Sequence, residues 1–554
     1  MTASGTAPPI RAEIPSRGRA LAGTGTLIRF TLRRDRVRLP VWIGAITFFT
    51  VLTAAAFPDL YTDAAERQAR AALMANPGVR AFSGPGYGLD DYTFGAMMAQ
   101  EMLSWVVIFV ALMSILLMVR HTRSEEETGR AELVRAAVVG RHAHTAAALI
   151  VVGGASVLLG VLMAVGLGAL GIESISWAGS WLYGAALASV GVVFAAITAV
   201  TAQINEHARG AGGLAGAVFA FLFLVRGAGD MIEIGGGVLS WLSPIGWAQQ
   251  TRVYVDDRWW PLLLPVALTV ALIALALWLS TRRDVGASLV RTRPGRAGGS
   301  ALLSSPLGLA WRQHRVAVMW WAVALSLVGL GYGSLAAEVE AFIEQAGAFD
   351  EWVGQIGAET LIDAFLSVIV MLVAVVVAVF AVLTVLRPRA EETAGMAEPL
   401  LATAVSRVTW VASHLAVALI GSVALLALAG VGLGLTASTA LADASVLPRV
   451  VGAALAYTPA VWLTIGLGAA LFGLLPRASL LVWLVIVYAG VVGTFFAELL
   501  NLPEWTVNLS PFGHVPMLPA EDLRWAPLAI LTAIAGGLIA AGLVGFRRRD
   551  LETK

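Results

Sequence analysis

Long apolar segments recur along the whole chain of 554 residues, and they limit the possible folds more than any other feature of the sequence. Each has about the 20 residues that a helix needs to cross a hydrocarbon core of roughly 30 Å. With 58% hydrophobic and only 13% charged residues, the chain has the composition of a protein whose main solvent is membrane lipid. We predict an all-α polytopic membrane protein with twelve transmembrane helices, at residues 41–57, 97–119, 146–170, 181–203, 210–225, 261–279, 318–337, 361–386, 411–435, 451–474, 480–497 and 527–546.

The positions of arginine in the short loops predict the orientation of these spans. Arginines cluster before the first span, after the second and after the last, whereas the loops at 172–179 and 338–359 contain none. Positive residues close to span ends stay in the cytoplasm. We therefore expect a bacterial plasma-membrane protein with both termini in the cytoplasm, and no cleavable signal peptide is evident before the first span.

An internal repeat divides the chain into two halves. Residues 123–132 (RSEEETGRAE) align without a gap with residues 389–398 (RAEETAGMAE), at an offset of 266. The starts of the halves also match, because Arg36 aligns with Arg315, and six spans in each half make the two repeats parallel. We predict a cytoplasmic tail at 1–26, a first six-helix half at 27–284, a linker at 285–305 and a second six-helix half at 306–554.

The repeated segments carry the strongest candidates for a functional role. Glu125, Gly129 and Glu132 are spaced i, i+4 and i+7, as are their aligned residues, which predicts one acidic helix face in each half. One such segment alone is typical of a solvated loop, but two copies in register favour docking of a peripheral motor domain through charged contacts. We expect Pro399 to kink the second helix. The candidate docking residues are Glu125, Glu126, Gly129, Glu132, Arg135, Arg141, Glu391, Glu392, Gly395, Glu398 and Arg407.

Two segments at the starts of the halves, 27–39 and 307–318, alternate apolar residues with arginine at helical spacing. This pattern is typical of helices that lie in the membrane interface. We predict an elbow helix at each place, with membrane anchoring and contact with a motor domain as open alternatives. The arginines concerned are Arg33, Arg36, Arg312 and Arg315.

Missing residue types exclude several classes of protein. The chain has no cysteine, and its one lysine is Lys554. A P-loop needs a lysine that is followed by a helix, so any ATP that drives this protein must bind another chain. A net charge of +1 gives no basic field for nucleic acid, and the sequence has no HExxH or similar metal-binding or catalytic motif.

Ionisable residues are rare within the predicted spans. Ion-coupled transporters keep such groups near the bilayer midplane, whereas here Glu101, Asp363, and Arg226 with Asp230 lie near outer span ends, which disfavours ion coupling. Arg226 and Asp230 are spaced i and i+4, so a structural ion pair is favoured over substrate contact. Apolar and aromatic residues nearby suit either helix packing or an adaptable drug-binding wall. The candidate substrate path comprises Met97, Glu101, Trp105, Phe219, Phe223, Arg226 and Asp230.

Several short motifs, taken in their order along the chain, resemble one known family. They are the duplicated Glu-Glu-x-x-Gly-x-x-Glu segments, the Leu-Ser-Pro-x-Gly sequences at 242–246 and 509–513, FLVRGAGD at 223–230 and FRRRDL at 546–551. With these motifs the chain resembles the ABC-2 type permeases of actinobacterial polyketide-antibiotic and multidrug exporters.

The resemblance implies a fused double permease with two type V exporter halves, in which residues 123–141 and 389–407 form the coupling helices. It also implies that two copies of a separate cytoplasmic ATPase bind ATP and Mg, so that this chain holds no cofactor. The complex would export hydrophobic or amphiphilic drugs across the plasma membrane. An ion-coupled drug transporter and a lipid scramblase or channel remain alternatives, and an adjacent reading frame with a Walker A lysine would favour the ATP-driven exporter.

Overall fold

The structure is a computed structural model, and it describes residues 20–130, 132, 139–282, 289, 298–337, 358–488 and 509–551. All secondary structure of these residues is helical. Eleven of the described helices are long and apolar enough to cross a membrane. The first to sixth spans are Arg38–Leu60, Phe94–Glu127, Ala143–Gly168, Trp177–Ile204, Ala208–Ile232 and Trp260–Ser280. The seventh to tenth are Pro306–Gly333, Ile362–Thr393, Arg407–Ala440 and Val446–Leu474, and the last is Trp525–Arg548. The prediction of an all-α polytopic membrane protein is confirmed.

The predicted count of twelve spans is not confirmed. The predicted span at 480–497 begins within the short apolar helix Pro476–Ile486, but its second part lies outside the described residues. Most of the predicted linker at 285–305 and of the predicted outer loop at 338–359 also lies outside the described residues, as does Arg135.

Serine side chains mark the starts of several spans. Ser176, Ser305 and Ser406 each accept a hydrogen bond of 3.0–3.1 Å from the backbone N–H three residues further along. These bonds satisfy N–H groups at the helix start that have no partner within the helix. Pro306 follows Ser305 at the first helical position, where proline is well tolerated.

The starts of the two halves differ in structure. Thr24–Arg34 is a separate helix that ends at Asp35, before the first span begins at Arg38. In the second half the helix Pro306–Gly333 runs without a break through 307–318, so the prediction of a separate elbow helix there is wrong. The residue aligned with Asp35 is His314, which lies inside this continuous helix and does not end it.

Contacts divide the chain into two compact units, Met1–Pro294 and Gly295–Lys554, which we call the first half and the second half. Glycine lets helices pack closely within each half. In the first half, a Cβ on Gly160 would lie 2.4 Å from the carbonyl oxygen of Gly184, in the next span. In the second half, a Cβ on Gly473 would lie 2.0 Å from the carbonyl oxygen of Gly542. Both helix pairs therefore require glycine at these positions.

Shorter helices connect the spans. Ala64–Met74 and Pro77–Ser83 follow the first span, where Asp63 and Asn76 accept hydrogen bonds from the first N–H groups of each helix. The short helices Arg123–Glu127 and Arg387–Thr393 form the ends of the second and eighth spans, and Pro244–Gln249 and Ala397–Leu401 lie between spans.

Candidate functional site

The repeated segment of the second half bends at a glycine. Helix Arg387–Thr393 is followed by Gly395 with φ +72°, and a new helix, Ala397–Leu401, begins two residues later. The N–H of Gly395 donates to the carbonyl of Glu392 at 3.0 Å, and the next N–H donates to the carbonyl of Glu391 at 2.9 Å. This pair of bonds is a Schellman motif, which ends a helix at a left-handed residue.

The first half repeats this bend. Helix Arg123–Glu127 precedes Gly129, whose φ is also +72°. The predicted single helix face through i, i+4 and i+7 is therefore wrong in both halves, because a left-handed glycine interrupts the helix before the third position. Pro399 causes no kink, since it lies in the first turn of Ala397–Leu401, where its missing N–H costs little.

Two of the three glutamates before the glycine of the first half, Glu125 and Glu126, are held inside the protein, whereas Glu127 is exposed. Glu125 is only 6% exposed, and its carboxylate pairs with Arg34 of the helix Thr24–Arg34 at 2.5 Å. Glu126 pairs with Arg123 at 2.5 Å, and Arg123 also donates to the carbonyl of Glu206 at 2.7 Å. These carboxylates thus attach the segment to its own half.

The glutamates of the second half are held in the same manner but by different partners. Glu391 pairs with Arg387 of its own helix at 3.0 Å. Glu392 is 4% exposed and binds both terminal nitrogens of Arg549, at 2.6 and 2.7 Å, just beyond the last span. Arg407 donates to the carbonyl of Arg549 at 2.8 Å. The second segment is therefore attached to the end of the last span.

The glutamates after each glycine are exposed. Glu132 and Glu398 have their side chains in solvent, as does Arg141, which donates at 2.8 Å to the carbonyl of Thr281 beyond the sixth span. Each repeated segment accordingly has glutamates bound to its half before the glycine and one exposed glutamate after it. Arg135 lies outside the described residues.

A buried ionic cluster in the first half was missed by the sequence analysis. Asp35 is 0% exposed, and its two carboxylate oxygens lie 2.6 Å from His121 and 3.2 Å from Arg120. A guanidinium nitrogen of Arg34 lies 3.3 Å from Nδ1 of His121, so Arg34 contacts both this cluster and Glu125. The signal in the sequence is the single acid within the run Arg33–Arg36, immediately before a span.

The second half has a different cluster at this place. His314, aligned with Asp35, lies 3.1 Å from His414 between ring nitrogens, and both are buried. The predicted elbow arginines, in contrast, are all exposed: Arg33, Arg36, Arg312 and Arg315.

Among the candidate path residues, Arg226 and Asp230 form the predicted ion pair. Their side chains are fully buried and meet at 3.1 Å. The hydroxyl of Ser240 donates to the second oxygen of Asp230 at 2.5 Å, and the guanidinium of Arg226 lies 4.4 Å from the centre of the Phe223 ring. A buried charge pair needs such partners for its remaining polar atoms.

Glu101 forms a second buried cluster of the first half. It binds Arg70 through two nitrogens, at distances of 2.5–3.1 Å, and accepts a hydrogen bond of 2.9 Å from the Tyr92 hydroxyl. Burial lowers the pKa of the Arg70 guanidinium. The hydrogen bond to the Glu101 carboxylate and the charge of that carboxylate together raise this pKa by more, so it lies above its ordinary value. Burial raises the pKa of the Tyr92 hydroxyl most, and the negative charge of the Glu101 carboxylate raises it as well. Glu101 lies in a π-helical turn, Met98–Met102, a distortion that is frequent at functional sites.

The other candidate path residues do not share one surface. Met97 is fully buried, whereas Trp105 is 43% exposed. Phe219 and Phe223 are half-buried and their ring centres lie 6.0 Å apart. Two cavities of the first half, of about 560 and 860 Å³, are lined by other residues. A substrate path through these seven residues stays a prediction.

Comparisons with known proteins identify the family. A family model described as the multidrug efflux system permease Rv1217c, C-terminal domain, matches the chain twice, at residues 25–279 and 303–547. The chain is also 40% identical over 543 residues to the multidrug efflux system permease protein Rv1217c of Mycobacterium tuberculosis (strain ATCC 25618 / H37Rv), with 97% of each chain covered. The chain belongs to this permease family. The resemblance to multidrug exporter permeases is thereby confirmed.

The two matches of the permease to one family model fall on the two repeats. The bend at Gly129 and at Gly395, with identical φ, is therefore a feature that both copies have kept in structure as well as in sequence. Residues that share this geometry are the best candidates for a function common to both halves.

The permease should depend on glycine at the second bend. A Cβ on Gly395 would meet no atom within 4 Å, so Gly395→Ala costs only the left-handed backbone, about 1–2 kcal/mol. We expect a lower thermal midpoint and slower drug efflux, with a smaller loss in Gly395→Asn because asparagine tolerates this conformation. Gly452→Ala is the control, since Gly452 is helical and equally open. Equal midpoints for Gly395→Ala and Gly452→Ala would contradict the expectation.

Proposed function

We propose that this permease is the membrane subunit of an ATP-driven ABC exporter, whose ATPase is a separate cytoplasmic chain, and that it extrudes hydrophobic or amphiphilic drugs across the plasma membrane. The observation that carries the proposal is the pair of matched segments, each with buried glutamates bound to its half and an exposed glutamate beyond a left-handed glycine. Two such segments suit two copies of the ATPase.

The sequence supports an external source of energy. The only lysine is Lys554, so the chain has no internal lysine to hold the transferring phosphates of a P-loop. ATP and Mg would bind the partner chain. The relative from Mycobacterium tuberculosis is named a permease of an efflux system, wording that agrees with further components.

The contacts of each segment suggest how movement of a motor would enter the membrane. A motor that displaces the exposed Glu132 region pulls on Arg34 and on the helix Thr24–Arg34 through Glu125. A motor at Glu398 pulls on the last span through Glu392 and Arg549. Ion pairs with little exposure are stiff connections because moving either charge away leaves the other unpaired. On this proposal, residues 123–141 and 389–407 are the coupling elements and both termini are cytoplasmic.

The competing function is ion-coupled drug transport. Three carboxylates near outer span ends have cationic partners, as is common for structural pairs: Asp230 pairs with Arg226, Glu101 with Arg70 and Asp363 with Arg449. This agrees with transport energy that comes from outside the chain.

Reconstitution tests the proposal. Proteoliposomes with the purified permease alone, given a proton or sodium gradient, should not accumulate a fluorescent amphiphilic drug against its concentration gradient. Adding the proposed partner ATPase, with ATP and Mg, should start accumulation, and replacing the Walker A lysine of that ATPase with alanine should stop it. Gradient-driven accumulation by the permease alone would overturn the proposal.

A further inference from the structure

A cavity of about 860 Å³ lies in the first half, where three spans come to their ends. Its wall includes the start of the first span, the end of the apolar part of the second and the start of the fifth. Because consecutive spans alternate in direction, these three ends belong to the same side of the membrane. The cavity therefore lies at the level of the lipid headgroups, on the side predicted to be cytoplasmic.

Three arginines line this cavity: Arg38, Arg120 and Arg209. Arg120 is bound to Asp35 at 3.2 Å. Arg38 and Arg209 are exposed, and neither pairs with a carboxylate of the described residues. Glu127 accepts a hydrogen bond from the N–H of Ala208, next to Arg209, and does not line the cavity. The cavity is therefore positively charged at this end.

The rest of the wall is apolar. Val41, Trp42, Leu116 and Val119 line it beside the arginines. An occupant that satisfies both parts needs an anionic head and a hydrocarbon tail. Guanidinium groups present forked donors that match a phosphate, and basic pockets between spans on the cytoplasmic side are suited to anionic lipid headgroups.

Two of the three arginines have no arginine at the aligned position of the second half. The residues aligned with Arg38 and Arg120 are Ala317 and Leu386. The charge at these two positions is therefore a feature of the first half.

We propose that this cavity binds an anionic phospholipid of the cytoplasmic leaflet, with the phosphate on Arg38 and Arg209 and an acyl chain along Trp42 and Leu116. A zwitterionic lipid of the same chain length fits less well, because its ammonium group meets the guanidinium groups. Inorganic phosphate lacks the chain that the apolar wall would cover. The proposal is independent of the ATPase, because binding is measured on the permease alone.

Native mass spectrometry of the full-length permease, titrated with phosphatidylglycerol or phosphatidylcholine, tests this site. We expect one phosphatidylglycerol to bind about tenfold more tightly than phosphatidylcholine, a difference of about 1.4 kcal/mol. The Arg38→Gln and Arg209→Gln double variant should lose this preference, and the corresponding lysine double variant should keep most of it. Arg547→Gln with Arg548→Gln is the control, because both are exposed arginines outside the cavity, and it should bind as the wild type does.

Three outcomes would overturn the proposal. The first is an unchanged preference in the Arg38 and Arg209 double glutamine variant, while its mass and elution show a folded monomer. The second is equal loss in the control, which would indicate general attraction to the basic surface. The third is displacement of the phosphatidylglycerol by inorganic phosphate or by an exported drug at comparable concentration, which would assign the cavity to a free anion or to the substrate.

Discussion

Replacing Glu132 and Glu398 together with arginine is expected to abolish drug-stimulated ATP hydrolysis by the complex and to lower drug efflux at least about tenfold, which corresponds to about 1.4 kcal/mol. Both side chains are exposed and follow the left-handed glycine of their segment. If the motor grips them through a complementary basic surface, reversal of both charges places like charges opposite each other, which costs several kcal/mol. Neither residue has a described ion pair with its own half, so the fold should not change.

The control for this double variant is Asp550→Arg. Asp550 is an exposed acid beyond the last span, so its reversal changes the charge at that end of the span without replacing a residue of either segment, and its side chain has no described ion pair. The amount of permease in the membrane, the efflux of a fluorescent drug and the ATPase rate are measured for each variant. Wild-type ATPase stimulation and efflux in the Glu132 and Glu398 double variant would rule out docking through these residues.

The single variants would show whether the two segments are equivalent. Glu125 is attached to the helix Thr24–Arg34, which is separate from the first span, whereas Glu392 is attached directly to the end of the last span. A force applied at Glu398 therefore reaches the last span through one ion pair, whereas a force at Glu132 is passed by its ion pair to a helix outside the spans. We expect Glu398→Arg to impair efflux more than Glu132→Arg.

The sequence predicted the elements of this fold better than their connections. Span positions follow from local hydrophobicity, because each helix must cover its backbone polar groups within itself in lipid. The predicted helix face continued past Gly129 and Gly395, because the spacing of the glutamates alone does not show that a helix ends at these glycines. A glycine three residues before the last glutamate of the pattern is compatible with either a helix or its end, and only the left-handed φ distinguishes the two.

The partners of the buried glutamates could not be predicted from local patterns. Arg34 and Glu125 are 91 residues apart, and Glu392 and Arg549 are 157 residues apart. The aligned glutamates Glu125 and Glu391 even have different kinds of partner, since Arg387 belongs to the helix of Glu391 itself. Sequence identity between the copies thus predicted which residues occupy matching positions in the two halves but not which contacts they make.

Breaking the ion pair between Glu392 and Arg549 is expected to destabilise the second half. Arg549→Gln leaves Glu392 buried with Arg389 at 3.5 Å as its remaining described ion-pair partner. Removing one partner of a buried pair costs about 3–5 kcal/mol, and the partial exposure of Arg549 places this case near the lower end. Arg549 also lies over the rings of Phe472 and Phe546, at 5.1 and 4.9 Å, so the substitution removes packing as well as charge.

Thermal unfolding of the purified permease measures this loss. Arg548→Gln is the matched control, because Arg548 is the neighbouring arginine and its side chain is exposed. We expect a large drop in the midpoint for Arg549→Gln and almost none for Arg548→Gln. An unchanged midpoint in Arg549→Gln would show that the contact with Glu392 contributes little.

The double variant Glu392→Gln with Arg549→Gln separates charge from packing. With both charges gone no isolated carboxylate remains buried, so the double variant should be more stable than the sum of the two single losses predicts. Its efflux should nevertheless stay low, because the repeated segment has lost its attachment to the last span, although Glu398, the proposed contact for the ATPase, is unchanged. A double variant that recovers both stability and efflux would show that the pair stabilises the fold without transmitting movement, and the proposed route from Glu398 to the last span would then be wrong.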